Sequence, residues 1–91
     1  KKMKIKLELF GASRDFSNKD HLEIEIQNKA SIDDLRNEII KYIYKNFSGN
    51  ENFIKVVKSS AFCSENNEII SDNYKITKDQ KIGIIPPIGG G

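Results

Sequence analysis

A chain of 91 residues, 37% of them hydrophobic, is long enough for one core, and nothing in its composition marks a second domain. Its 15 basic and 13 acidic residues are interspersed and nearly cancel to +2, which excludes a nucleic-acid-binding stripe or a polybasic membrane patch. One cysteine, Cys63, excludes an internal disulfide, and no apolar run reaches the length of a signal h-region or a membrane span, so a reducing cytoplasm is the expected compartment.

Lys1, Lys2, Lys4 and Lys6 form the densest basic group, but two lie at the chain start and two alternate out of a strand, as solvated lysines do. Met3 comes soon after Lys1, which leaves the encoded start open by a residue or two. Lys4-Ile5-Lys6-Leu7-Glu8-Leu9 alternates charged and apolar residues, the period of two that marks a strand with one wet and one buried face. Ile5, Leu7 and Leu9 are therefore assigned to the core. Gly11 to Asp20 read as a polar connection. Leu22-Glu23-Ile24-Glu25-Ile26 repeats the alternation, and its glutamates suit the Lys4 and Lys6 face of an antiparallel neighbour, with the register left open.

Ser31 stands before an apolar run as an N-cap, and Asp34 is placed to complete a capping box. Ile32, Leu35, Ile39, Ile43 and Phe47 recur at helical spacing and predict one continuous stripe over about four turns. Arg36, Glu38, Lys41 and Lys45 take the other faces. Gly49 and the polar run Asn50-Glu51-Asn52 end the helix. Val56 to Cys63 read as a third, irregular strand and Glu65-Asn66-Asn67 as a turn. Glu68 to Ser71 form a short fourth strand, Lys78-Asp79 a second turn, and Lys81 to Ile85 the last strand.

The order β-β-α-β-β-β with one amphipathic helix is an α+β layer pair, a mixed sheet of about five strands covered on one side. Ubiquitin and its relatives share this order, so a β-grasp fold is predicted for residues 1–85. One helix covers one sheet face, which leaves apolar residues of the opposite parity exposed. With Leu9 and Ile84 pointing in, Phe10 and Ile85 point out. In a β-grasp sheet the first and last strands are central parallel neighbours, so these two should form a partner-docking patch beside the last strand's exit.

That last strand runs directly into Pro86-Pro87-Ile88-Gly89-Gly90-Gly91. Proline has no N–H for a sheet ladder and fixes φ near −65°, and the residue before it is driven to extended geometry. Residues 86–91 are therefore expected to leave the domain as a stiff tail reaching at most roughly 20 Å. Glycine adds no side chain, so Gly89, Gly90 and Gly91 suit a narrow channel in a partner, with the α-carboxylate of Gly91 as the functional group. The plain alternative is a frayed end or an expression scar.

A chain that opens with KIKLELFGASRD, carries the capped helix SIDDLRNEI and closes with KIGIIPPIGGG resembles the small, sulfur-carrying subunit of molybdopterin synthase, the MoaD family. The resemblance covers essentially the whole chain and is most specific at its end. There the family has an apolar strand, two prolines, a β-branched residue, a small residue and Gly-Gly. Gly89 replaces the usual Ser or Thr, and residues 48–71 fit only loosely. The resemblance implies a protein that is not catalytic alone. A ubiquitin-activating-like adenylating enzyme spends ATP to convert the Gly91 carboxylate to an acyl-adenylate, and a persulfide donor turns it into a thiocarboxylate. The tail, Pro86 to Gly91, then enters the large synthase subunit of a heterotetramer and donates sulfur to cyclic pyranopterin monophosphate. It implies no cofactor, metal, nucleic acid or membrane bound by the chain itself.

The remaining chemistry-bearing residues have simpler readings. Cys63, in or beside a strand and with no histidine nearby in sequence, reads as a small buried hydrophobe. His21 lacks a second ligand at metal spacing and reads as an edge histidine. Asp33-Asp34 suit a helix N-terminus, Glu23 and Glu25 suit a solvent face, and no Gly-rich loop joins a strand to a helix. Three functions stay open. They are the molybdopterin sulfur carrier, a carrier with another acceptor (thiazole formation for thiamin, or lysine modification), and an interaction module with an inert terminus.

Overall fold

A computed structural model describes residues 2–88; Lys1 and Gly89 to Gly91 lie outside the described residues. In chain order the elements are β1 (Lys2–Leu9), a 3₁₀ helix (Gly11–Phe16), β2 (His21–Gln27), β3 (Ala30–Ser31) and α1 (Ile32–Phe47). They continue with α2 (Glu51–Ser59), β4 (Ala61–Cys63), β5 (Ile69–Ile70), β6 (Lys75–Ile76) and β7 (Gln80–Ile85).

The alternation of β1 and β2 does what its period requires. The two strands pair antiparallel with Lys4 opposite Glu25 and Lys6 opposite Glu23, so opposite charges face each other on the wet side while Ile5 and Leu7 meet Ile24 and Leu22 on the core side. β7 lies parallel to β1, with Leu9 beside Ile84, and the main sheet runs β2-β1-β7-β4-β5. β3 and β6 form a separate two-stranded ribbon.

Ser31 caps α1 as its sequence predicts. Its hydroxyl accepts from the Asp34 N–H at 3.1 Å and its own N–H donates to the Asp34 carboxylate at 2.9 Å. Those bonds, the backbone one first, hold the Asp34 carboxyl below its usual range. Ile32, Leu35, Ile39 and Ile43 are fully buried against Ile5, Leu7, Ile82 and Ile84 of the sheet. Each such side chain contributes about 1.5–3 kcal/mol of apolar transfer energy, which makes this one helix and one sheet face the main source of stability. The result is the ubiquitin-like β-grasp architecture, a mixed sheet under one main helix. The last residue of the predicted stripe, Phe47, is half-buried and turns to other partners.

Two segments depart from the sequence reading. The predicted strand over Val56 to Cys63 is a helix through Ser59 and a strand only from Ala61. Asn50 starts that helix, its side-chain oxygen accepting from the Phe53 N–H at 3.1 Å. Ile54, Val56 and Val57 have strand propensity, but here Val57 is buried and Phe53, Ile54 and Val56 pack on the core, so tertiary packing overrides propensity. The polar connection after Phe10 contains the 3₁₀ helix, which buries Ser13 and Phe16 completely. The Phe16 ring lies 5.2 Å from that of Phe53, and Phe53 lies 5.1 Å from Phe47. Tyr42 donates its hydroxyl to the Phe16 carbonyl at 2.7 Å, and burial pushes that hydroxyl's pKa up.

Arg36 ties these parts together. Its side chain, well covered, donates from Nη1 to the carbonyls of Val57 and Ser60, both at 2.8 Å, and from Nη2 to Asp72 Oδ1 at 2.8 Å. Its guanidinium also sits 5.0 Å from the centre of the Phe62 ring. The residue assigned to a helix face away from the apolar stripe is thus the C-terminal cap of α2.

Candidate functional site

β1 and β7 are parallel and end together, so the turn after β1 and the exit of β7 share one end of the sheet. Phe10 continues from Leu9 in extended conformation, and the buried Ser13 hydroxyl pins it, accepting from the Phe10 N–H at 3.0 Å and donating to its carbonyl at 2.7 Å. The Phe10 ring, 42% exposed, lies on the outer sheet face over Gly83. A Cβ at Gly83 would fall 3.0 Å from the ring and 2.8 Å from Cys63 Sγ. The missing side chain is therefore the seat on which both rest.

Ile85 lies on the same outer face, half-buried and paired in register with Ala61, while Cys63 is paired with Gly83. Ile69, opposite Cys63 on β5, is exposed and extends the apolar strip toward the sheet edge. The structure thus places Phe10 and Ile85 on one face at one end of the sheet. It also adds Ala61, Gly83 and Ile69, which sequence reasoning misses because three- and two-residue strands give no register for the β4 pairing. Glu8 and Lys81, 3.8 Å apart, bound the strip with charge.

Beyond Ile85 the chain stays in contact with the body for one more residue. Pro86 is buried, within van der Waals reach of the space a Cβ on Gly11 would occupy, at 3.8 Å. Gly11 has a φ of +55°, which glycine adopts without strain. Pro87 and Ile88 are exposed, Ile88 completely. Gly89, Gly90 and Gly91, the predicted channel segment and reacting terminus, lie outside the described residues.

The other candidate groups stand apart from this site or play structural parts in it. Cys63 is a buried free thiol. His21, on β2 and paired in register with Glu8, hydrogen-bonds the Asp20 carboxylate at 2.9 Å. Among the described residues no three His, Cys, Asp or Glu side chains cluster as a metal site, and no helix is long and apolar enough to cross a membrane.

Gly83→Ala should cost about 1–3 kcal/mol, since the new methyl overpacks a filled seat. Cys63→Ala in the same chain should recover part of it. Chemical denaturation checks this, and a Gly83→Ala chain as stable as its parent would show that ring and thiol do not rest there.

The fold occurs in known proteins. A Pyrococcus furiosus protein assigned as subunit 1 of the molybdopterin converting factor superposes with a TM-score of 0.68 at 22% identity, covering 94% of this chain and 99% of its own. Small archaeal modifier protein 1 of Haloferax volcanii gives 0.66 at 10% identity, covering 94% and 99%. The Caldiarchaeum subterraneum ubiquitin gives 0.63 at 15% identity over the whole of both chains. At these identities the likeness shows the fold alone. A search of curated proteins finds no match. The description of the ThiS family, however, matches residues 7–91, which takes in both the Phe10 turn and the glycine tail. The chain belongs to the ThiS family, one of the ThiS/MoaD-like proteins with the ubiquitin-like sulfur-carrier fold.

Proposed function

We propose that the chain is the sulfur-donating small subunit of molybdopterin synthase, with Gly91 as its mature C-terminus. The observation that carries this reading is the exit of β7: an apolar strip on the outer sheet face beside a Pro-Pro step, after which Ile88 is fully exposed and the sequence runs on into Gly89-Gly90-Gly91. Family membership supports a sulfur carrier, and the Pro-Pro step before the glycines favours the molybdopterin acceptor over thiazole formation.

The chemistry is dictated by what a terminal carboxylate lacks. With a pKa of about 3.3–3.7 it is ionised at neutral pH, resists nucleophiles and has no leaving group. An adenylating partner joins it to AMP and releases pyrophosphate. A persulfide sulfur displaces AMP to give an acyl disulfide, and a thiol of the partner attacks the donor-side sulfur of that S–S bond, leaving a thiocarboxylate on Gly91 and a new disulfide on the partner. The tail then threads into the large synthase subunit, its sulfur displaces an oxygen substituent of cyclic pyranopterin monophosphate, and water cleaves the resulting thioester, leaving the sulfur on the pterin and returning Gly91 to a carboxylate. On this reading proton transfer and phosphate binding at the reacting atoms fall to the partners.

Intact mass after co-expression with the adenylating enzyme tests this. The molybdopterin reading predicts a gain equal to replacing one oxygen by sulfur, and sulfur transfer to cyclic pyranopterin monophosphate when the large subunit is added. Conjugates on lysines would instead mark a modifier, and loading without pterin transfer a thiazole carrier. An unchanged mass would mark an inert module.

On this reading the outer strip docks the large subunit. Phe10→Asp should weaken that binding by at least about 30-fold, as loss of an aromatic anchor does, while Tm falls only slightly because the ring is partly exposed. Ile85→Asp should weaken binding similarly. Titration calorimetry and thermal melts together check this. A variant that unfolds, yet binds normally in its folded fraction, contradicts the patch.

A further inference from the structure

The tail root has a second flank, on the opposite side from the Phe10 strip. A groove of about 480 Å³ lies between the 3₁₀ helix, α2 and the two prolines. Ala12, Val56, Pro86 and Pro87 give it apolar lining, and Asn52, Lys55, Lys58 and Ser59 supply the polar part. No carboxylate lines it among the described residues, and neither lysine is in an ion pair there. The Ser59 hydroxyl is turned back on its own helix, donating to the Lys55 carbonyl at 2.8 Å. The groove therefore offers apolar surface, two ammonium groups and the amide of Asn52.

Position gives this surface a use. Pro86 is buried in the body and Pro87 is the first free residue of the tail, so a protein that encloses the tail must sit against what flanks Pro87. An activating enzyme has a particular need of such support. It holds the carrier through two successive steps at the terminus, and a stripped glycine filament gives little lateral anchorage.

We infer that this groove is a second docking surface, used by the adenylating enzyme, and that it takes an acidic segment of that enzyme bearing an apolar residue. The apolar residue lies on Val56 and the prolines, and the carboxylates meet Lys55 and Lys58. Opposite charges at such a rim raise the association rate and fix register, and salt weakens them. The inference rests on the carrier reading above, and the test separates the two.

The full-length chain is loaded with sulfur by the adenylating enzyme encoded in the same genome, and the rate is tracked by intact mass against carrier concentration. The double variant Lys55→Glu and Lys58→Glu should raise KM at least about tenfold with little change in kcat. Lys19→Glu with Lys78→Glu, the same charge change at exposed sites away from the groove, should stay near the parent. Added salt should raise the parent's KM and leave that of the groove variant nearly flat. Thermal melts of both variants should match the parent, because all four lysines are exposed.

A groove variant with the parent's KM overturns the inference while leaving the carrier reading intact. A variant that loads faster also overturns it, since the groove would then be a seat for the chain's own tail carboxylate. If the parent gains no sulfur at all, the carrier reading fails and the groove loses its partner with it.

Discussion

Deleting Gly91, or adding one residue after it, should reduce sulfur loading at least about 100-fold and leave Tm unchanged. One residue shifts the terminal carboxylate by roughly 3.5 Å, and misplacing a reacting group by even about 1 Å costs on the order of 100-fold. Stability should not change with it, because the core closes with Ile84 and the last buried residue among those described is Pro86. Loading is read by intact mass and folding by thermal melt on the same samples. A truncated chain that fails to fold would contradict the division between body and tail, and one that loads at the parent's rate would contradict the role of Gly91.

Arg36→Met should be the most damaging single change outside the apolar core, lowering stability by about 2–4 kcal/mol. The guanidinium satisfies the carbonyls of Val57 and Ser60 where α2 ends and holds Asp72 on the loop between β5 and β6. A methionine fills similar volume over Phe62 but takes the guanidinium donor from the Ser60 carbonyl and leaves the Val57 carbonyl only the Ser60 N–H at 3.3 Å. For a domain of this size the expected fall in Tm is about 4–8 °C for each kcal/mol. Arg36→Lys should rescue little, because one ammonium cannot span three acceptors that a planar fork reaches together. Asp72→Asn should cost less than about 1 kcal/mol, since that carboxylate is mostly exposed and solvent screens the pair. If Asp72→Asn and Arg36→Met cost the same, the arginine acts through the ion pair and not as the cap of α2.

Arg36 also shows where the sequence stops being readable. β1, β2 and α1 declare themselves because each has a strong period and buries one face, and the Ser31 cap is written within four residues. Phe10 and Ile85 are fixed by parity alone once β1 and β7 are known to be parallel neighbours. α2 is different, for Ile54, Val56 and Val57 look like a strand, and what holds the segment as a helix is the packing of Phe53 on Phe16 and a cap in Arg36, both partners distant in sequence. Asn50 is the available signal, but a capping residue just after Gly49 reads as readily as the end of α1 as it does as the start of a new helix. The burial of Pro86 is equally hidden, because it depends on Gly11 arriving from the other end of the chain. The two-residue strands β3 and β6 have no period to read and exist through pairing of Ala30 with Ile76.

The measurement closest to the central claim is the position of the transferred sulfur, mapped by fragmentation mass spectrometry of the loaded chain. The expected result is sulfur in place of an oxygen of the Gly91 carboxyl group, with Cys63 still an unmodified thiol. Sulfur found as a persulfide on Cys63, with Gly91 still a carboxylate, would contradict a carrier that works through its terminus.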